Sequence, residues 1–225
     1  MKKFLLMSLF SIFASNANAN AGVIISPISG VVDVGGTSSP SNSLTTTYNQ
    51  SGLSAGFTGG VTDFDSYIAT NPTHDFLSAS NEWFSEPRTT SAVVTYSLGS
   101  IMGISKLALW NEEFSGVGSL NLLGSSDGFA FSALGTFSPT NNPQDLRYLA
   151  DVFNFSATNA QFVRLEMSGC PQAGGVGTSR CSIGEVAFNK VDLVPPPAVP
   201  EPDAYAMMLA GLGLLGFMTR RRKAD

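Results

Sequence analysis

Short apolar or alternating runs recur through the middle of the chain, separated by Gly, Asn, Ser and Pro, and helix-period patterns are nearly absent. The clearest runs predict strands at Ala92 to Leu98, Ile104 to Trp110, Gly118 to Ser125, Val152 to Phe155, Phe162 to Met167 and Ile183 to Asn189. Weaker runs lie at Val23 to Ser26, Val31 to Val34 and Phe129 to Phe137. Ser126-Asp127-Gly128 reads as a tight turn, with Gly supplying a positive φ, and Asn141-Asn142-Pro143 as a second loop. The Ser/Thr/Gly-rich stretch from Gly30 to Ser54 is expected to be irregular, and Asp63 to Ala69 to form one short helical turn. Many short strands with turn signals predict an all-β fold, a sandwich or jelly roll burying one face of each strand. The expected core is Val93, Leu107, Leu109, Leu120, Leu122, Phe153, Phe155, Val163, Leu165, Val186 and Phe188.

The two ends carry a different pattern. Lys2-Lys3, the apolar run Phe4 to Ala14 and the small-residue sites around Ala19 and Ala21 predict a signal peptide over residues 1–21, and no lipobox cysteine follows. Pro195-Pro196-Pro197 opens a stiff spacer, residues 195–203, that contains Val199, Pro200, Glu201 and Pro202. The prolines keep this segment extended. The uncharged stretch Ala204 to Met218 follows, a little short of the ~20 residues that comfortably span a bilayer. Local thinning and flanking residues make up such a difference, so a single membrane helix is expected over residues 204–219. Arg220, Arg221, Arg222 and Lys223 then form a basic tail, residues 220–225, expected to stay cytoplasmic. This order of acid-bearing Pro-Glu-Pro turn, apolar helix and cationic stop resembles the PEP-CTERM sorting tail of Gram-negative bacteria. The resemblance implies export through the inner membrane, a transient anchor there, an exosortase as partner, and a final place on the outer surface or in extracellular matrix.

Between the ends, residues 22–194 are long enough for one domain with a substantial core. Six cationic residues, Arg88, Lys106, Arg147, Arg164, Arg180 and Lys190, stand against fourteen acidic ones between Gly22 and Val199. That balance argues against nucleic acid or anionic lipid as a partner. Low overall charge with abundant Gly, Ser, Thr, Asn and Phe suits an extracellular β domain. The two cysteines, Cys170 and Cys181, most simply form one disulfide in an exported protein; free thiols or a metal pair are the alternatives, and two cysteines without nearby histidines make a poor zinc site.

Five segments, in order, carry a second likeness. They are Asn81-Glu82-Trp83-Phe84-Ser85, Val94-Thr95-Tyr96-Ser97-Leu98-Gly99, Ser125-Ser126-Asp127-Gly128 with Leu134-Gly135-Thr136-Phe137, Ala160-Gln161-Phe162-Val163-Arg164-Leu165, and Ile183-Gly184-Glu185-Val186-Ala187-Phe188. Together they resemble the coagulation-factor type C, or discoidin-like, domain over about residues 61–191. The resemblance implies a galactose-binding-like jelly-roll β-sandwich. Ser97 stands where that family has Asp, and the family's disulfide between the domain ends is missing. The family often carries a structural calcium between an early loop and the closing strand, which implies Asp63 or Asp65 with Glu185 here. It binds ligands through loops at one end of the sandwich. This implies Trp110, Asn111 and Glu112 with Phe114 in one loop, and Tyr67, His74 and Asp75 in another. Trp83 is expected in the core.

No catalytic constellation is visible. His74 has no nucleophile elbow to serve, and Glu112-Glu113, as sequence neighbours on a strand, are expected to point to opposite faces. The leading expectation is a non-enzymatic carbohydrate- or matrix-binding module, with extracellular polysaccharide as partner. The alternative is a structural surface or matrix protein without a specific small ligand. A sugar-binding module requires an aromatic platform exposed near a loop, and a structural protein does not.

Overall fold

A computed structural model describes residues 22–76, 80–172, 179–193, 195 and 207–212. The chain divides into two compact units, Met1–Leu193 and Val194–Asp225. In the second, residues 207–212 are helical, and among the described residues no helix is long and apolar enough to cross a membrane. The rest of the expected membrane helix 204–219 lies outside the described residues. So do the expected signal peptide, the segment Val199 to Pro202 and the basic cluster Arg220 to Lys223.

The first unit runs β1 (Val23–Ile25), β2 (Ser29–Val34), two 3₁₀ turns (Pro40–Asn42 and Leu44–Tyr48) and α1 (Phe64–Ala69). It continues with β3 (Thr73–His74), β4 (Trp83–Phe84), β5 (Ser91–Asn111), β6 (Ser119–Ser125), β7 (Ser132–Phe137), β8 (Tyr148–Leu149), β9 (Asp151–Ser168) and β10 (Ser182–Val191). The expected strands at 92–98 and 104–110 are one element, β5, and those at 152–155 and 162–167 are one element, β9. The gap between the two expected strands of β5 contains Gly99 and Gly103. The backbone passes Gly99 at φ 87 and continues the ladder with β9 after a register break between Ser97 and Met102. A bend in a long strand and a turn between two strands use the same residues.

The bend builds the domain. The first half of β5 pairs with β2 and with the second half of β9, which continues to β6 and β7. The second half of β5 pairs with β10, which carries β1 and β4. The two halves enclose one core. Val94, Tyr96 and Leu98 from one half of β5 cluster with Leu107 and Leu109 from the other, and with Leu120, Leu122, Val163, Leu165, Val186 and Phe188. Each such large side chain contributes roughly 1.5–3 kcal/mol by burial. Val93 is displaced from this core by register: Ala92, Val94 and Tyr96 face inward, so Val93 is only half-buried. Phe155 packs against the core while partly exposed.

A second, smaller cluster covers the other face of the β10–β5 half, where Phe64 and Tyr67 of α1 meet Ile24, Ala108, Trp110, Tyr148 and Ala187. The helix begins because Asp63 accepts from Ser66 N and caps it. The 30–54 stretch is more ordered than expected. Its start completes β2, and Thr47 in the second 3₁₀ turn bonds the buried Tyr96 hydroxyl at 2.7 Å.

Candidate functional site

Strand parity decides what faces outward on the β2–β5–β9–β6 half. Val163 and Leu165 point into the core, so Phe162, Arg164 and Glu166 point out; on β5, Ala92, Val94 and Tyr96 point in, so Thr95 and Ser97 point out. Cross-strand pairing then sets outward residues in rows. Val31, Thr95, Arg164 and Leu123 form one row, and Ser29, Ser97, Phe162 and Ser125 the next. These rows floor a groove of about 370 Å³, with Asp33 at one side and Asp127, Gly128 and Phe129 at the other.

The polar groups in the groove are fixed by one another. Thr95 Oγ1 donates to Asp33 Oδ2 at 2.6 Å and accepts from Arg164 Nε at 3.1 Å. Asp33 Oδ2 also lies 3.9 Å from Arg164 Nε. The guanidinium sits 3.8 Å from the centroid of the Phe131 ring, a cation–π contact that holds its plane. The wall is equally rigid. Asp127 Oδ1 accepts from the Phe129 and Ala130 amides and from Ser125 Oγ, which itself accepts from Gly128 N. Those hydrogen bonds hold the Asp127 carboxyl below the usual carboxylate range. Phe129 is 91 % exposed at the tip of this turn. Gly128 adopts φ 79 against the Phe162 ring, where a Cβ would come within 3.2 Å of Cε2. A fixed guanidinium, a carboxylate, hydroxyls and exposed aromatic surface within one groove can hydrogen-bond a polyol and stack on its apolar face.

The residues singled out from the sequence lie elsewhere. Trp110 is fully buried and donates from Nε1 to Pro72 O at 2.9 Å, so it is a packing residue and not an exposed platform. Asn111 is fully buried as well. Its side chain donates to Val117 O and Thr140 O and accepts from Val117 N, shaping the turn after β5. Glu112 and His74 are also without exposed surface. None of the four can meet a polysaccharide in this structure.

The three acids expected to bind calcium are not brought together either. Asp63 caps α1, and Asp65 pairs with Lys106 at 2.6 Å. Glu185 is buried on β10, where its Oε2 accepts from Gln50 N and its Oε1 has no hydrogen-bond partner. Burial pushes the Glu185 carboxyl well above the usual range, and burial, with a smaller contribution from Glu185, pushes Tyr67 up to about 12. An orphaned Glu185 oxygen fits one ligand of a calcium site, but the two aspartates do not supply the others. Among the described residues, these three form no group with ligand atoms within 4.8 Å.

What the structure does gather is Glu82, Glu112 and Glu113, all buried, each with a carboxylate oxygen within 4.8 Å of the other two. The expectation of opposite faces for Glu112 and Glu113 fails because β5 ends at Asn111 and the next residues turn inward. Tyr148 donates to Glu82 Oε1 at 2.6 Å and lies 3.0 Å from His74 Nδ1, which also contacts Asp75 O. Burial, then the neighbouring charges of Glu82 and Glu113, push Glu112 up to about 9, and burial lowers His74. All three side chains are buried, so they present no exposed carboxylate pair of the kind glycoside hydrolysis uses.

Cys170 and Cys181 are disulfide-bonded with Cα atoms 4.9 Å apart, as the pair of cysteines led us to expect.

Fold and groove together define an all-β sandwich that presents a fixed arginine–aromatic site on the outer face of one sheet half. The tail places it among exported proteins. Residues 198–223 match the PEP-CTERM protein-sorting motif. No curated protein matches the chain. Several solved structures are similar. Chitosan-binding module 2 of a chitosanase/glucanase from Paenibacillus sp. IK-5, in complex with chitotriose, is 16% identical with TM-score 0.47, covering 73% of this chain and 97% of that one. The CBM32 of AlyQ, in complex with 4,5-unsaturated mannuronic acid, is 14% identical with TM-score 0.45, covering 73% and 96%. A CBM32 from Clostridium perfringens, in complex with GalNAc-β-1,3-galactose, is 18% identical with TM-score 0.39, covering 48% and 74%.

Proposed function

We propose that this is an exported, non-enzymatic protein that binds carbohydrate through the groove lined by Asp33, Thr95, Phe129 and Arg164. The observation that carries the reading is Arg164. Its guanidinium is stacked on Phe131 and bonded through Nε to Thr95, inside a groove whose wall ends in the exposed Phe129 ring. A planar cation held in place loses little freedom when it bonds ligand hydroxyls or a carboxylate. The sorting tail implies that an exosortase processes the chain after export. The inner membrane is then a transient anchor, and the bound glycan is extracellular polysaccharide.

The test is a binding screen of the full chain against soluble polysaccharides, the producing cell's own included. Saturable binding that weakens at least ~10-fold in Arg164→Ala, with an unchanged melting temperature, is the expected result. Binding to none of them would favour the second reading, a structural matrix protein. That reading draws on β2, an edge strand that leaves Val31 62 % and Val34 54 % exposed and so offers backbone and apolar surface to another chain.

A further inference from the structure

Glu82, Glu112 and Glu113 reach one point in the interior from two chain segments, the residue before β4 and the turn after β5. The turn is built to hold that direction. Asn111 is bonded on both sides to Val117, and Ser115 N donates to Glu112 Oε2. A second observation is independent of the clustering: Glu112 Oε1 is buried and accepts no hydrogen bond. A buried carboxylate oxygen without a donor is costly, and three carboxylates this close cannot all stay anionic without a positive charge among them. Among the described residues, no ion pair joins a lysine or arginine to Glu112. Lys106, Arg147 and Arg164 pair with Asp65, Asp75 and Asp33.

We infer that Glu82, Glu112 and Glu113 bind one hard divalent cation of the calcium class. Carboxylates and carbonyls are the donor set such an ion takes, and Glu112 Oε1 is the oxygen left for it without another partner. Tyr148, by donating to Glu82 Oε1, acts as a positioning residue for that ligand. The ion ties the approach to β4 to the turn after β5. This site is separate from Asp63, Asp65 and Glu185, and it lies apart from the groove, so it stands whether or not the groove binds sugar.

The test uses the full chain purified after export and dialysed against calcium. Metal analysis should return about one calcium per chain, and the melting temperature should be at least ~5 °C higher in calcium than in EGTA. Glu112→Gln and Glu113→Gln, made separately so that one that fails to fold leaves the other readable, should each abolish both the bound calcium and the difference. If neither variant folds, the wild-type metal content and melting shift decide. Wild-type protein that holds no calcium and melts identically in both media overturns the proposal. So does a calcium-dependent shift that persists in both variants, which would put the ion elsewhere. A Glu112→Gln chain more stable than wild type in both media would show that protons, not a metal, neutralise the cluster.

Discussion

Arg164 of β9 lies over the ring of Phe131, 3.8 Å from its centroid, although Phe131 is in the loop before β7 and thirty-three positions earlier in sequence. The ring fixes the plane of the guanidinium while Thr95 fixes its Nε. What is left of the guanidinium is therefore aimed by the protein before a ligand arrives. Replacing Phe131 with Leu should keep the fold but release the arginine. Glycan affinity is expected to fall about 2- to 5-fold, in line with a cation–π contact of roughly 0.5–1 kcal/mol at a part-exposed site. Titration calorimetry of Phe131→Leu beside Arg164→Lys checks it. The lysine variant keeps the charge but not the planar fork, and should lose at least as much.

Gly128 separates the rigidity of the groove wall from its chemistry. Its φ of 79 disfavours any side chain, and an added Cβ would press on Phe162 at 3.2 Å. Gly128→Ala should cost about 1 kcal/mol of stability in urea unfolding. It should also weaken glycan binding, because Phe129 is carried by the same turn. Unchanged binding in a destabilised variant would remove that wall from the site.

Glu185 gives a pH dependence whose sign is set by its burial. Its folded carboxyl titrates well above its ordinary value, chiefly because burial disfavours the charge, with the bond from Gln50 N only partly offsetting this. As pH rises above about 4.5, the unfolded chain ionises this group while the folded one keeps its proton. Stability should therefore fall with rising pH, by up to about 1.4 kcal/mol per pH unit for one group, until the folded carboxyl ionises too. Glu185→Gln should be more stable than wild type at pH 7 and show a shallower decline between pH 5 and 8. Urea unfolding in EGTA at four pH values is the measurement. Equal slopes in both proteins would mean that Glu185 is ionised in the fold.

Much of the fold could be read from alternation alone. The runs around Leu107, Leu120, Val163 and Val186 supplied the core because their period of two matches a half-buried strand. Two things could not be read. A glycine that bends a strand looks like a glycine that ends one, so β5 looked like two strands; β9 has no glycine and looked like two because the polar stretch Ser156 to Gln161 interrupts its apolar run. Register across strands is not local either, and only pairing shows that Asp33 of β2 lies near Thr95 and Arg164. The proposed groove was not singled out, for a different reason. Trp110 drew notice by residue type, whereas Arg164 was already placed outward by its inward neighbours Val163 and Leu165. Parity applied to polar residues, and an aromatic directly after an Asp-Gly turn, were the signals that pointed to Arg164 and Phe129.

Trp110 and Phe129 are therefore expected to behave in opposite ways. Trp110 is enclosed by Phe64, Tyr67, Ala187 and other residues of the smaller cluster, and its Nε1 proton has one acceptor, Pro72 O. Trp110→Ala leaves a large cavity and an unpaired carbonyl, so a loss of about 3–5 kcal/mol is expected. Trp110→Phe keeps most of the volume and should cost about 1–2 kcal/mol for the missing hydrogen bond. The folded fraction of either variant should bind glycan as wild type does. Phe129→Ala removes a ring that touches mainly solvent, and stability should change by no more than about 0.5 kcal/mol. Its glycan affinity should nonetheless fall several-fold, since a stacking ring acts only when a ligand is present. Measuring melting temperature and affinity on the same preparations decides the matter. If Trp110→Phe lost binding without losing stability, the ligand would sit at the turn after β5 and not on the outer face of the sheet.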